Sequence, residues 1–443
     1  MSKHRVGNRL LFLTLIAAAG VVVSIETLAE ENNSKAEQMS TPERIKQVGW
    51  WPTKGTPSRD EYVGPAICAQ CHSSLASTQK LHAMARTSTP AANSDILRAH
   101  NRQNFRLGPH TYQLVRTDNG VIEYSVSDGK QSVSGPLSWA FGTGKVGQSY
   151  LYQKGGAFFE SRFSYFSTIQ GFDITPAHSR ATPESIEKAA GRPVAPAEVR
   201  RCFGCHNTAS TTNDKFDDTR LIPSITCEAC HGPGSAHTAA MKAGLEAGAG
   251  LISNPGRLKP VDQVDFCGAC HTTWWDVNLS GSSGVGNARF QPYRLESSRC
   301  WGKGDGRVTC IACHNPHQPL VREAGFYDQR CLSCHLAAAN SNPSSDHPGA
   351  ACPVSTKDCV TCHMPRVEVP DAHFKFTDHR IRIVRAGSPF PDRSQGYIRL
   401  LNCWFLIIGR QHGRALQPNR AYPCYARTGA RGVRPRSRLP SSG

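Results

Sequence analysis

Seven copies of Cys-x-x-Cys-His run along the chain. They are Cys68/Cys71/His72, Cys202/Cys205/His206, Cys227/Cys230/His231, Cys267/Cys270/His271, Cys310/Cys313/His314, Cys331/Cys334/His335 and Cys359/Cys362/His363. Such a pentapeptide can capture a porphyrin covalently. Its two thiols add across two vinyl groups, the spacer sets their separation, and the histidine that follows is placed to ligate the iron. A single copy would read equally as a zinc knuckle or a thioredoxin-like redox pair. Zinc sites, however, do not need histidine at the fifth position every time, and here all seven copies end in it. A shuffled chain of this composition holds far fewer than one such motif. The expected cofactor is haem c, seven copies, bound through the fourteen motif cysteines.

The opposite face of each iron decides what it does. A second protein ligand makes an electron carrier, and an open face admits a substrate. Beyond the N-terminal region, methionine is confined to Met39, Met84, Met241 and Met364, so mostly bis-histidine haems of low potential are expected. Seven distal candidates stand out: His82, His178, His237, His317, His347, His373 and His379. His237 and His317 follow their own motif histidines too closely to cross to the far face of the same haem. They are expected on a neighbouring haem. His100, His110 and His412 read as bystanders.

The elements that must hold these groups are short. The motif-bearing stretches lack long periodic segments, and the apolar fraction of 39% is low for a globular chain. Porphyrins would then supply much of the core. Ser73 to Arg86 reads as helix. Across 104–170 the pattern changes to alternation. Tyr112 and Leu114 lead to the turn Asp118-Asn119-Gly120, and Ile122, Tyr124 and Val126 return from it. A second hairpin is expected at Gly155-Gly156. The expected fold is mainly α with long loops, packed on haem, with a small β insertion near 104–170. First-cysteine spacings of 25, 40, 43, 21 and 28 from Cys202 onward follow no fixed period but force close haem packing.

The organisation expected is a signal peptide over 1–29, a linker over 30–58, a first haem segment over 59–103, the β insertion, a six-haem domain over 171–382 and an atypical basic tail over 383–443. Lys3, His4, Arg5 and Arg9 precede the apolar run Leu10 to Val23, and Thr27-Leu28-Ala29 offers cleavage after Ala29. This is a general secretory signal, or an uncleaved anchor, and implies a periplasmic protein. Four cysteines lie outside the motifs: Cys300, Cys352, Cys403 and Cys424. Cys300 and Cys352 form either a disulfide or two thiols.

The net charge of +17 is uneven. From Arg380 to the end there are 13 arginines, no lysine and one acid, Asp392. The tail reads either as a shift of reading frame near 383–400 or as a basic extension for an acidic partner or anionic membrane surface. It has no aromatic interleaving and no nucleic-acid module, so nucleic acid is not an expected partner. Membrane association would run through the uncleaved anchor or the basic tail.

Several stretches carry a resemblance. YVGPAICAQCH followed by KLHAMA resembles the opening of the cytochrome c-552/c-554-type multihaem proteins. GTGKVGQSYL, FDITPAH, AAGRPVAPAEVRRCFGCHNT, ITCEACHGPGSAH, SRCWGKGDGRVTCIACHNPH and DCVTCHMPRVEVPDAHFKFTDHRI resemble exported members often fused to tetratricopeptide repeats. The likeness covers roughly 60–382. It implies a periplasmic, mostly helical multihaem cytochrome, with His82, His178, His237, His317, His373 and His379 as axial positions. Two functions follow. One is electron transfer between donor and acceptor redox proteins. The other is an oxidoreductase acting on nitrite, hydroxylamine or a sulfur oxyanion at one five-coordinate haem. No motif carries lysine in place of its histidine, which favours the first.

Overall fold

The computed structural model describes residues 58–212, 215–301, 307–335 and 352–385, with 387 and 390. The expected signal peptide, the linker before 58, His347, His412, Met39, Cys403, Cys424 and the tail from 391 lie outside the described residues.

Strong alternation builds the largest element, an antiparallel sheet of nine strands. The strands are β1 (Ser88–Pro90), β2 (Arg102–Leu107), β3 (His110–Arg116), β4 (Ile122–Ser127), β5 (Ser132–Phe141), β6 (Gly147–Lys154), β7 (Ala157–Phe166), β8 (Gly171–Ile174) and β9 (Gly191–Pro193). β2 to β8 are neighbours in chain order, β1 adds to β5 and β9 to β7. β2 comes back beside β8, so the run nearly closes. The inward positions are large and apolar: Tyr112, Leu114, Tyr124, Val126, Tyr150 and Phe163 are each at most 2% exposed. Both expected hairpins form. β3 and β4 pair across the Asp118-Asn119-Gly120 turn, where Gly120 takes φ +84. β6 and β7 pair up to Lys154 and Ala157 across Gly155-Gly156, both at positive φ, as a tight hairpin turn requires.

This sheet corrects the expectation of a mainly α fold with a small β insertion near 104–170. It begins at Ser88 and ends at Pro193. Gly135 and Pro136 sit inside β5 and look like breakers in the sequence, yet the strand runs on through them. Shifts of register near Leu137 and Ser149 also break the alternation that a sequence reading follows. β1 and β9, three residues each, are too short to carry a pattern.

The helices are α1 (Pro65–Cys71), α2 (Ser73–Gln79), α3 (Asp95–Ala99), α4 (Ile186–Ala190), α5 (Pro196–His206), α6 (Cys227–His231), α7 (Ser235–Lys242), α8 (Pro260–His271), α9 (Trp274–Ser280), α10 (Gln291–Glu296), α11 (Cys310–Cys313), α12 (Asp328–His335) and α13 (Cys359–His363). The helix expected over Ser73 to Arg86 stops at Gln79 and resumes as a 3-10 turn over Ala83–Arg86. α4 plugs the sheet, where the Tyr112 hydroxyl donates to Ala189 O at 2.6 Å. A second core joins the sheet to α5: Phe203 is fully buried and meets Trp139 edge-on at 5.2 Å. The second motif is thereby fastened to the sheet.

Three other motif helices are not built this way: α1, α11 and α13 bury no residue, and neither does α2 beside the first motif. Leu75, Leu81, Met241, Ile311, Leu320 and Phe326, all on or beside motif segments, stay exposed. Among the described residues, no helix is long and apolar enough to cross a membrane.

Candidate haem sites

All seven motifs lie on a single helical turn, with the histidine ending the helix or capping it. Cysteines three apart on a helix share one face, so both thiols of each motif address the same side. Contacts between motifs pair them. The thiol of Cys68 lies beside that of Cys227, that of Cys267 beside Cys310, and that of Cys331 beside Cys359. Cys205 Sγ donates to Ala269 O at 3.5 Å, and Cys313 lies close to Cys331. Every motif is thus linked to another.

The paired thiols are mostly the first of each motif, and the second cysteines are placed differently. Cys71, Cys270 and Cys362 are exposed, whereas Cys230 and Cys334 are half-buried. Of the expected attachment points of the sixth and seventh haems, Cys334 is half-buried and Cys362 exposed. The sixth and seventh motifs meet through Cys331 and Cys359. Cys362 Sγ accepts from the hydroxyl of its own neighbour, Thr361, at 3.8 Å.

The histidines extend this pattern. His72 faces His237 with ring centres 6.5 Å apart and planes 17° from parallel. His231 faces His317 at 5.9 Å and 11°. His314 faces His379 at 6.3 Å and 45°. Two imidazoles bound end-on to opposite faces of one metal, with bonds of about 2 Å, stand roughly 6 Å apart between ring centres. Each pair joins two motif segments. His237 follows the third motif and faces the first; His317 follows the fifth and faces the third; His379 follows the seventh and faces the fifth.

Ligation through Nε2 needs a hydrogen on Nδ1, and a carbonyl beside Nδ1 fixes it there. Five rings meet this condition. Nδ1 donates to Thr87 O from His206 (3.2 Å), to Ser253 O from His231 (2.8 Å), to Gly248 O from His237 (2.7 Å), to Arg382 O from His363 (2.9 Å) and to Thr377 O from His379 (3.0 Å). Burial also holds His206 and His379 neutral, each lowered to about 4, with their carbonyl partners pulling the other way. These residues fit a bis-imidazole haem. Apolar side chains left uncovered around the motifs fit it too.

Other expected ligands are placed differently. His178 Nε2 lies 3.0 Å from Glu160 Oε2, and His373 Nε2 lies 2.7 Å from Asp173 Oδ2. Neither faces a motif ring. Glu160 also pairs with Arg192, which grips Glu198 four residues before Cys202. His82 makes no ring contact with a motif histidine. Its Nδ1 accepts a hydrogen bond from Met84 N–H at 3.0 Å. Of the bystanders, His100 packs on Tyr165 and Phe172, and His110 is buried at the start of β3. No disulfide joins Cys300 to Cys352, and Cys352 is exposed. Among the described residues, no cluster of three or more metal-ligating side chains is gathered.

Buried acids clasp the motifs together, and these were not foreseen. Glu228 is the only acid in any motif spacer. It is fully buried and accepts from Val63, Gly64 and Gly234 N–H, each at 2.8 Å. It therefore ties the approach to the first motif to the third. Asp328 accepts from Asp358 and Cys359 N–H at 2.8 and 2.9 Å, tying the sixth motif to the seventh. Those two N–H groups, Cys359 first, hold its carboxyl below the usual range. Asp378, beside His379, forms a bidentate pair with Arg294 at 2.7 and 2.9 Å. The readable signal was an acid placed next to a motif or ligand residue.

Glu228→Ala removes the acceptor from one buried and two half-buried N–H groups and is expected to cost about 2–4 kcal/mol. Glu228→Gln, which keeps one acceptor oxygen, is expected to recover part of it. Denaturant unfolding of the haem-loaded protein checks both. Equal stability of parent and alanine variant would contradict the clasp.

The family described as cytochrome c554 and c-prime matches residues 167–232, which include the second and third motifs. A comparison with curated proteins finds no match. The crystal structure of outer cell wall cytochrome OcwA is similar at 15% identity and a TM-score of 0.40, over 73% of this chain and 80% of that one. The segment that resembles this family holds two of the seven attachment motifs, which supports reading them as c-type haem sites.

Proposed function

We propose that this is an exported heptahaem cytochrome that carries electrons between redox partner proteins. Haem c at each motif would supply reversible one-electron chemistry. The observation that carries the reading is the set of three facing imidazole pairs, His72/His237, His231/His317 and His314/His379, each spaced for one iron. The contacts among motif cysteines support a continuous array. The polypeptide's part is to hold pairs of rings at fixed separation, fix their tautomers with backbone carbonyls, and keep motif neighbours in register through Glu228, Asp328 and Asp378. Little rearrangement is then needed when charge changes. The basic run before Leu10 and the apolar run after it support export by the general secretory route to the periplasm.

The test is a set of optical and paramagnetic resonance spectra of the full haem-loaded chain, oxidised and stepwise reduced. The reading expects predominantly low-spin iron that reduces in overlapping one-electron steps. Predominantly high-spin iron would overturn it. The alternative, an oxidoreductase for a small nitrogen or sulfur compound, requires a five-coordinate haem, which the same spectra would reveal as high-spin iron that binds added ligand.

A further inference from the structure

The second motif has more apolar surroundings than its neighbours. Its first thiol, Cys202, packs against a core that includes Trp139, Phe158 and Phe203. Phe203, inside the motif itself, is fully buried. The Phe141 ring stands edge-on to His206, centres 5.2 Å apart, and to Phe203 at 5.1 Å. Among the described motif thiols, Cys310 also joins an apolar core, but one of three buried residues. The helices of the first and seventh motifs bury nothing. Oxidised iron carries one more positive charge than reduced iron, and apolar surroundings penalise that charge.

The proximal ring acts in the same direction. A hydrogen bond from Nδ1–H makes imidazole a stronger donor to iron and favours the oxidised state. At His206 this bond is the longest of the five, 3.2 Å against 2.8, 2.7, 2.9 and 3.0 Å at His231, His237, His363 and His379. Its acceptor is also shared, because Thr87 O takes the Gly142 N–H at 2.7 Å. Gly142 is bound to that position: it takes φ +104, and a Cβ there would meet Gly147 O at 2.5 Å. Nearby charge does not reverse the effect. Glu198 lies one helical turn before Cys202, and Arg192 Nη2 holds both Glu198 and Glu160, at 2.6 and 2.7 Å. His178 Nε2 is 3.0 Å from the same Glu160 oxygen. Both acids are paired, so neither confronts the site as a lone negative charge.

We propose that the haem of the second motif has the highest potential in the array and holds the first electron that enters it. This rests on the electron-transfer reading and on attachment at Cys202 and Cys205. One electron from the donor protein turns its ferric iron ferrous, and no bond forms or breaks. The nine-stranded sheet, which carries no attachment motif, then has a part in the reaction. It supplies the apolar wall and, through Arg192, the countercharge that together set this potential.

The experiment is a stepwise titration of the full haem-loaded protein with dithionite, followed by proton NMR. Methyl signals of the second haem are identified by their contacts with the Phe141 and Phe203 rings. They should move to their ferrous positions before those of any other haem. Reduction of the second haem in the middle or at the end of the series would overturn the proposal and leave electron transfer standing. Arg192→Gln gives a second, independent mark. It leaves Glu160 and Glu198 without their cation, so the ratio of reduced to oxidised second haem at a fixed ambient potential should fall about tenfold. Arg192→Lys, which keeps the charge, should stay within a few-fold of the parent. The component that shifts in Arg192→Gln should be the most positive one of the parent's titration. A shift in another component, or in none, would overturn the proposal. Peptide mapping that finds no haem on Cys202 and Cys205 would sink it together with the heptahaem reading.

Discussion

Asp378→Ala is expected to destabilise the haem-loaded protein by about 3–5 kcal/mol, the range for removing one partner of a buried ion pair. Asp378 is fully buried and Arg294 nearly so, with side chains 0% and 1% exposed. The carboxylate takes both Arg294 hydrogen bonds, a third from Arg382 Nη1 at 2.6 Å, and the Arg380 N–H at 3.1 Å. Its removal takes both of these hydrogen bonds away from the buried guanidinium of Arg294. His379 is the next residue, and its carbonyl accepts from Ser298 Oγ at 3.3 Å, so the loss is transmitted to the ring that faces His314. Thermal or denaturant unfolding measures the cost. The pH dependence follows from the same pair. Burial works to raise the Asp378 carboxyl, but the hydrogen bonds and charge of Arg294, aided by Arg382, hold it below the usual value. Because the folded value is depressed, its contribution is complete above the ordinary aspartate range, near pH 4, and is lost as pH falls through the folded value. Asp378→Ala should therefore unfold with a flatter pH dependence in acid than the parent. A parent and variant with the same stability at neutral pH would contradict the clasp.

His317→Ala should convert one haem from low to high spin. The imidazole faces His231 at 5.9 Å with nearly parallel planes, and the fifth-motif segment that carries it would lose its hold on the third-motif site. Spectra should show one additional high-spin iron, open to azide, and a raised potential for that haem, because one basic nitrogen ligand is gone. A spectrum unchanged from the parent would mean that the facing rings do not share an iron.

How much of this was readable depends on range. The hairpin through Asp118-Asn119-Gly120 was legible because turn chemistry and alternation lie within about fifteen residues. The seven motifs were legible because all their chemistry is packed into five consecutive residues. Which thiol of a motif meets a neighbouring motif was not, since Cys331 and Cys334 look alike in sequence and only the approach of Cys359 separates them. The short gap between His231 and His237 showed that the second ring must serve another haem, but not which one, since His72 lies in a distant segment. β5 was hidden by Gly135 and Pro136, and β1 and β9 by their length. The acid clasps were invisible for the same reason as most tertiary contacts: Arg294 and Asp378 are 84 residues apart, and Glu228 reaches back 165 residues to Val63. His178 and His373 looked like ligands by their setting in the chain. Only folding brings Glu160 and Asp173 against them.

The array proposed here depends on covalent porphyrin at every motif. Intact mass spectrometry of the purified protein after denaturation, which strips any haem not bonded to the chain, is the most direct measurement. The account predicts a mature polypeptide heavier by seven haems, with peptide mapping placing one on each cysteine pair. A mass equal to the bare polypeptide would contradict it.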